Sequence, residues 1–193
     1  SDYQKHMCAQ KAYLDLNRTL HYVEDIDEEE KKAFKCDVYE YLANGVDLTD
    51  TMILCEGVDF KANCSNVFKQ FDFGQAQKWV NMTKKYLLLL GVIKPDENTH
   101  IPIDSYIIEA LWDNLAVDLP CNKKKNYDEE KLKNHREKHK YADEKVVSWS
   151  RWNEQHYKDF RTSLSNSNIL IDTFWEHENW IRISEKRKRI TND

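Results

Sequence analysis

"FDFGQAQKWVNMTKKYLLLLG", residues 71–91, is the stretch that decides the fold. At 100° per residue Ala76, Trp79, Val80, Thr83, Tyr86, Leu87 and Leu90 fall within about 60° of one direction, as in a helix that turns an apolar side to a core. Asp72 and Gln75 stand in capping-box spacing and Gly91 is placed to stop the run, so the sequence predicts a helix over 73–90. The opposite line carries Gly74, Lys78, Asn81 and Lys85. A helix that only fills a core has no use for such a line, which makes it the place to look for function. Met82, Leu88 and Leu89 flank its lower half, so another element is expected to cover the C-terminal part.

The remainder of the chain reads as helix too. Only 4 Gly and 3 Pro punctuate 193 residues, too few for a fold built on many turns or on glycine-rich nucleotide loops. Apolar spacing predicts helices over 3–21, 27–44 and from Asp104 to about Pro120, then a long one from about Asp128 to Leu164 and a last one capped by Asp172. At Asp104 the N-cap is accompanied by Ile103 and Ile108 in hydrophobic-staple spacing. Residues 47–70 stay ambiguous, 121–128 read as a charged connection and 186–193 as a frayed tail. The expected architecture is an all-α, single-domain bundle spanning 1–193, of about seven or eight helices, with the 73–90 helix at its centre.

Charge is unevenly distributed. Residues 1–120 carry 12 basic and 21 acidic side chains, net −9, whereas 121–193 carry 17 and 13, net +4. The basic clusters include Lys123, Lys124 and Lys125, then Arg136, Lys138 and Lys140, then "RISEKRKR" at 182–189. Such clusters either track nucleic-acid phosphate or form a solvated helix surface, and the basic third is the candidate nucleic-acid interface. Five cysteines without metal-ligand spacing fit free thiols in a reducing compartment. With no apolar run long enough for a membrane span, a cytoplasmic location is expected.

Few motifs carry chemistry. "DFG" at 72–74 lacks every accompanying kinase element, and His135 with His139 lack the order and third ligand of a zinc helix, so neither cofactor nor metal is expected. Trp79, Trp149, Trp152 and Trp175 sit at core spacing. Lys78 and Asp104 are the catalytic candidates. A lysine on a partly covered face near Lys85 is a candidate amine nucleophile, and an aspartate at a helix start can steer or deprotonate it. Gly74, Asn81, Lys85 and His100 are the substrate-binding candidates.

"GQAQKWVNMTKKYL" (74–87) and "HIPIDSYIIEAL" (100–111), with "WSRW" (149–152), "YKDF" (157–160) and "FWEHENWI" (174–181), resemble an uncharacterised family of bacterial all-helical proteins. A lysine on one helix followed by "P-I-x-D" at the start of the next is also similar, over about residues 72–112, to the 8-oxoguanine-glycosylase-like members of the helix-hairpin-helix DNA glycosylases. That likeness implies that Lys78 attacks the sugar carbon and Asp104 assists. The glycine- and proline-rich hairpin turn of those enzymes has no counterpart in "GVIKPDENTH" (91–100). Two functions stand side by side: a nucleic-acid-associated, glycosylase-like protein, and a non-enzymatic module that binds a protein partner through its acidic and basic halves.

Overall fold

The computed structural model describes residues 1–44, 64, 66–95, 101–115, 148–164 and 172–192. Six α-helices run through them: α1 Asp2–Leu16, α2 Glu28–Asn44, α3 Phe73–Leu89, α4 Ser105–Leu115, α5 Glu154–Leu164 and α6 Thr173–Asn192. Short 3-10 turns lie at Asn17–Thr19 and Trp149–Arg151. Among the described residues the sole β-type pairing is an isolated bridge between Tyr22 and Phe68, so the expected all-α class holds. No helix among them is long and apolar enough to cross a membrane.

α3 begins and ends as its sequence dictates. The Asp72 N–H donates to Gln75 Oε1 at 2.8 Å in a capping box. Gly91, at φ 66°, takes the left-handed geometry that closes a helix. Its N–H donates to the Leu88 carbonyl at 2.9 Å and that of Val92 to Leu87 at 2.9 Å, the paired bonds of a Schellman end.

The helix is not two-faced, however. Every residue from Phe73 to Lys84 is buried, Gly74, Lys78 and Asn81 of the polar line included, and Lys85 is partly buried. α1 packs along α3 on one side, and the Trp149–Arg151 turn and α5 lie against it. Trp79 is fully buried beside Tyr13 and Phe71, with ring centroids 5.5 and 6.5 Å away. Cover was expected over the C-terminal part of the line, but it lies over the N-terminal part, while Leu89 and Leu90 are 63% and 55% exposed; hydropathy alone does not distinguish an exposed polar side chain from a buried one that has found its partner.

Three boundaries also differ from expectation. The first helix stops at Leu16, where Thr19 Oγ1 turns back to the Leu16 carbonyl at 2.9 Å and Leu20 becomes extended. Of the long helix expected from about Asp128 to Leu164, residues 128–147 lie outside the described residues, and α5 begins only at Glu154: the Trp149 turn precedes Asn153, whose Oδ1 accepts the His156 N–H at 2.9 Å. The tail expected to fray from 186 continues as helix to Asn192, and Arg187 anchors it to α4 through Glu109 at 2.7 Å and the Ser105 carbonyl at 2.9 Å.

Candidate functional site

Lys78 and Asp104 meet. Lys78 Nζ lies 2.8 Å from Asp104 Oδ2, with both side chains about 95% buried (5% and 6% exposed). Two local features bring them together. Asp104 caps α4, its Oδ1 accepting the N–H of Tyr106 at 2.8 Å and of Ile107 at 3.1 Å, which leaves Oδ2 for the lysine. The segment before it is held by Gln77, whose Nε2 donates to the Ile103 carbonyl at 2.7 Å while its Oε1 accepts the Ile103 N–H at 3.4 Å. One side-chain amide thus pairs with both backbone groups of Ile103 and clamps the "IPI" stretch against α3. Ile101 and Ile103 are fully buried there.

The other end of the lysine is also confined. Its Nζ stands 5.0 Å from the centre of the Trp149 ring, a cation–π contact in a desolvated setting. Trp149 reaches that position because Gly74 lets the turn come close: a Cβ on Gly74 would fall 1.7 Å from the Trp149 carbonyl oxygen. The Gly74 N–H, at a helix start without an intrahelical partner, donates to the Trp152 carbonyl at 3.1 Å. Gly74 therefore serves a backbone crossing and positions Trp149, instead of opening a surface for substrate.

Lys85 follows Lys78 along the same line of α3 and pairs with Glu176 on α6. Glu176 is 2% exposed. Burial of Asp104 pushes its carboxyl up, but the Lys78 charge and hydrogen bond, with the Ile107 and Tyr106 N–H groups, outweigh that and hold it below its ordinary value. At Glu176 burial wins: the carboxyl is raised despite Lys85, and the negative charge of Asp104 pushes in the same direction.

Both pairs open on one cavity of about 450 Å³, walled by α1, α3, α6 and Asp104. Lys78, Lys85, Asp104 and Glu176 contribute to its wall from the bundle, and Lys11, Asp15 and Arg18 from α1 and the turn after it. Asp15 is bonded to Lys11 at 2.6 Å and accepts the Tyr86 hydroxyl. Leu14, Met82 and Trp180 supply apolar surface. Asn81 is fully buried, bonded to Gln77 at 3.2 Å, and takes no part in the cavity wall. His100, Lys123, Lys124, Lys125, Arg136, Lys138 and Lys140 lie outside the described residues, as do His135 and His139. Within the 182–189 cluster, Lys186 and Arg187 are engaged with Glu109 at 3.1 and 2.7 Å. Among the described residues no group of three or more His, Cys, Asp or Glu side chains is placed to hold a metal ion.

Sequence reasoning singled out three of the four ion-pair members. It missed Glu176, Gln77 and Arg18. The available signal for Gln77 was its place one residue before Lys78 and one helical turn before Asn81, on a stretch too polar for a core. Glu176 and Arg18 gave no local signal. No protein-family model matches the chain, and no curated protein or solved structure matches it either.

Proposed function

We propose that the chain is a lysine-dependent enzyme of the DNA-glycosylase and lyase type, with Lys78 as nucleophile and Asp104 as its proton partner. The observation that carries this reading is the 2.8 Å Lys78–Asp104 pair lying at the wall of a cavity of about 450 Å³. Its size is within the range that holds small ligands, and residues singled out from separate helices converge on it. In this reading substrate filling the cavity excludes water and disfavours the charged pair, so that the Lys78 ammonium yields a proton to Asp104 Oδ2 although that carboxyl is held low before substrate arrives. The nitrogen lone pair then attacks the sugar carbon while the bond to the base breaks, and the departing base takes up the proton. The secondary ammonium so formed passes one proton to the sugar ring oxygen as the bond between that oxygen and the attacked carbon breaks, which opens the ring and leaves a protonated imine between lysine and sugar.

Borohydride supplies the test, because hydride reduces such an imine to a stable amine. Oligonucleotides bearing 8-oxoguanine or an abasic aldehyde are incubated with protein and borohydride. A covalent adduct is expected, abolished in Lys78→Gln and formed more slowly in Asp104→Asn, since asparagine preserves the helix cap. Absence of any adduct from folded wild-type protein overturns the reading.

The second reading, a protein-interaction module, is favoured by a different observation. Tyr3 and Met7, outside the cavity wall, are 74% and 44% exposed one turn apart on α1. A Met7→Glu change there leaves adduct formation intact under the enzymatic reading.

A further inference from the structure

Trp180 is mounted more rigidly than an exposed tryptophan needs to be. On α6, Trp180 and Arg187 are seven residues apart, two turns on one line and about 10.5 Å in rise. The Tyr106 ring occupies the space between them. Its centroid is 5.0 Å from that of Trp180 at an interplanar angle of 26°, and the Arg187 guanidinium stands 4.1 Å from the same tyrosine centroid. Arg187 is itself fixed by Glu109 and the Ser105 carbonyl. Tyr106 covers one face of the indole, and Glu176 and His177 line the cavity one turn before Trp180 on the same helix. Trp180 lines it too and remains 36% exposed.

Charge in the same cavity is unbalanced. Each of the three lysines in its wall has a carboxylate partner: Lys78 with Asp104, Lys85 with Glu176 and Lys11 with Asp15. Arg18 is the fourth basic group of the wall, is exposed, and makes no hydrogen bond or ion pair among the described residues. A planar guanidinium with no partner among the described residues, on the wall of the same cavity as a fixed aromatic ring, is suited to a ligand that has both a flat ring and an anionic oxygen group.

We propose that the cavity seats one nucleotide unit, its base stacked on the outer face of Trp180 and its phosphate held by Arg18. This deepens the reading of the cavity as a nucleic-acid site and rests on it, but does not depend on Lys78 acting as a nucleophile. The ring seat carries stacking, which every base offers, and the arginine seat selects the phosphorylated form.

Binding of 2′-deoxyguanosine 5′-monophosphate, 2′-deoxyguanosine and a short single-stranded oligodeoxynucleotide, followed by calorimetry without reductant, tests it. The nucleotide is expected to bind more tightly than the nucleoside. Trp180→Ala should weaken both by about tenfold, and Trp180→Phe should restore most of the loss. Arg18→Gln should weaken the nucleotide by about tenfold and leave the nucleoside unchanged. Tighter binding of the oligonucleotide than of the mononucleotide assigns the seat to a strand; equal binding assigns it to a free nucleotide. No binding of any of the three, or unchanged affinities in both Trp180→Ala and Arg18→Gln, overturns the proposal. Nucleotide binding without a borohydride adduct removes the Lys78 chemistry alone, whereas an adduct whose yield ignores both Trp180→Ala and Arg18→Gln removes the nucleotide seat alone.

Discussion

Lys78–Asp104 and Lys85–Glu176 stand two helical turns apart on α3, each a lysine paired with one buried carboxylate, yet their acids are driven in opposite directions. Asp104 is held low and Glu176 is raised. Burial penalises the charge in both. The difference lies in what else each carboxylate receives: Asp104 takes two backbone N–H groups at the start of α4, whereas Glu176 sits within the first turn of α6, where Asp172 already caps the Trp175 N–H at 2.9 Å. At Asp104 the Lys78 charge and hydrogen bond come first and the two backbone N–H groups add to them; at Glu176 the lysine acts without such an addition, the Asp104 charge opposes it, and burial prevails.

The largest expected effect separates the pairs by the same isosteric change. Asp104→Asn keeps the cap but leaves the buried Lys78 ammonium without its counter-charge, and should cost about 3 kcal/mol. Glu176→Gln removes a carboxylate that is already pushed toward its neutral form, and should cost about 1 kcal/mol. Urea midpoints of both variants at neutral pH measure the gap. Costs equal to within about 0.5 kcal/mol would mean that the backbone donors do not distinguish the sites.

Acid titration sharpens the contrast by its sign. Asp104, lowered from 3.8, contributes stability that is fully present above that value and is lost as pH falls through its folded-state pKa. Glu176, raised from 4.5, contributes stability that is fully present below that value and is lost as pH rises through its folded-state pKa. The cost of Asp104→Asn should therefore shrink on acidification below pH 3.8, while the cost of Glu176→Gln should shrink as pH climbs above 4.5. Denaturant midpoints of wild type and both variants across pH 3 to 7 check this. Slopes of the same sign break the comparison.

The parts of this arrangement that could be read from the sequence are those set within one helix. Asp72, Gln75, Gly91 and Asp104 announce helix ends because caps are local chemistry, and the phase of α3 fixes Lys78 and Lys85 on one line. What closes over that line is not local. Glu176 is 91 positions from Lys85, and Ile103, which Gln77 clamps, is 26 from it. Neither partnership alters the period of hydrophobic residues in either segment, so no spacing rule reveals it. Gly74 shows the cost of that blindness. Its place on the polar line suggested an open surface, but the absence of a side chain is what admits the Trp149 carbonyl.

A third pair at the same cavity turns the two-way comparison into a series in burial, and it carries the smallest expected effect. Lys11 and Asp15 are 2.6 Å apart, but their side chains are 54% and 28% exposed, against 11% and 3% for Lys85 and Glu176. Water already solvates the ammonium, and Asp15 retains the Tyr86 hydroxyl when Lys11 is removed, so no buried group is orphaned. Lys11→Gln should cost no more than about 0.5 kcal/mol. It should also respond to salt differently. At about 1 M salt, where screening acts over about 3 Å, the Lys11→Gln cost should fall toward zero while that of Asp104→Asn stays unchanged, because ions cannot enter around a pair buried on both sides. Urea midpoints at low and high salt decide it: a Lys11→Gln cost that is large and indifferent to salt would place this pair with the buried two, and burial would no longer order the series.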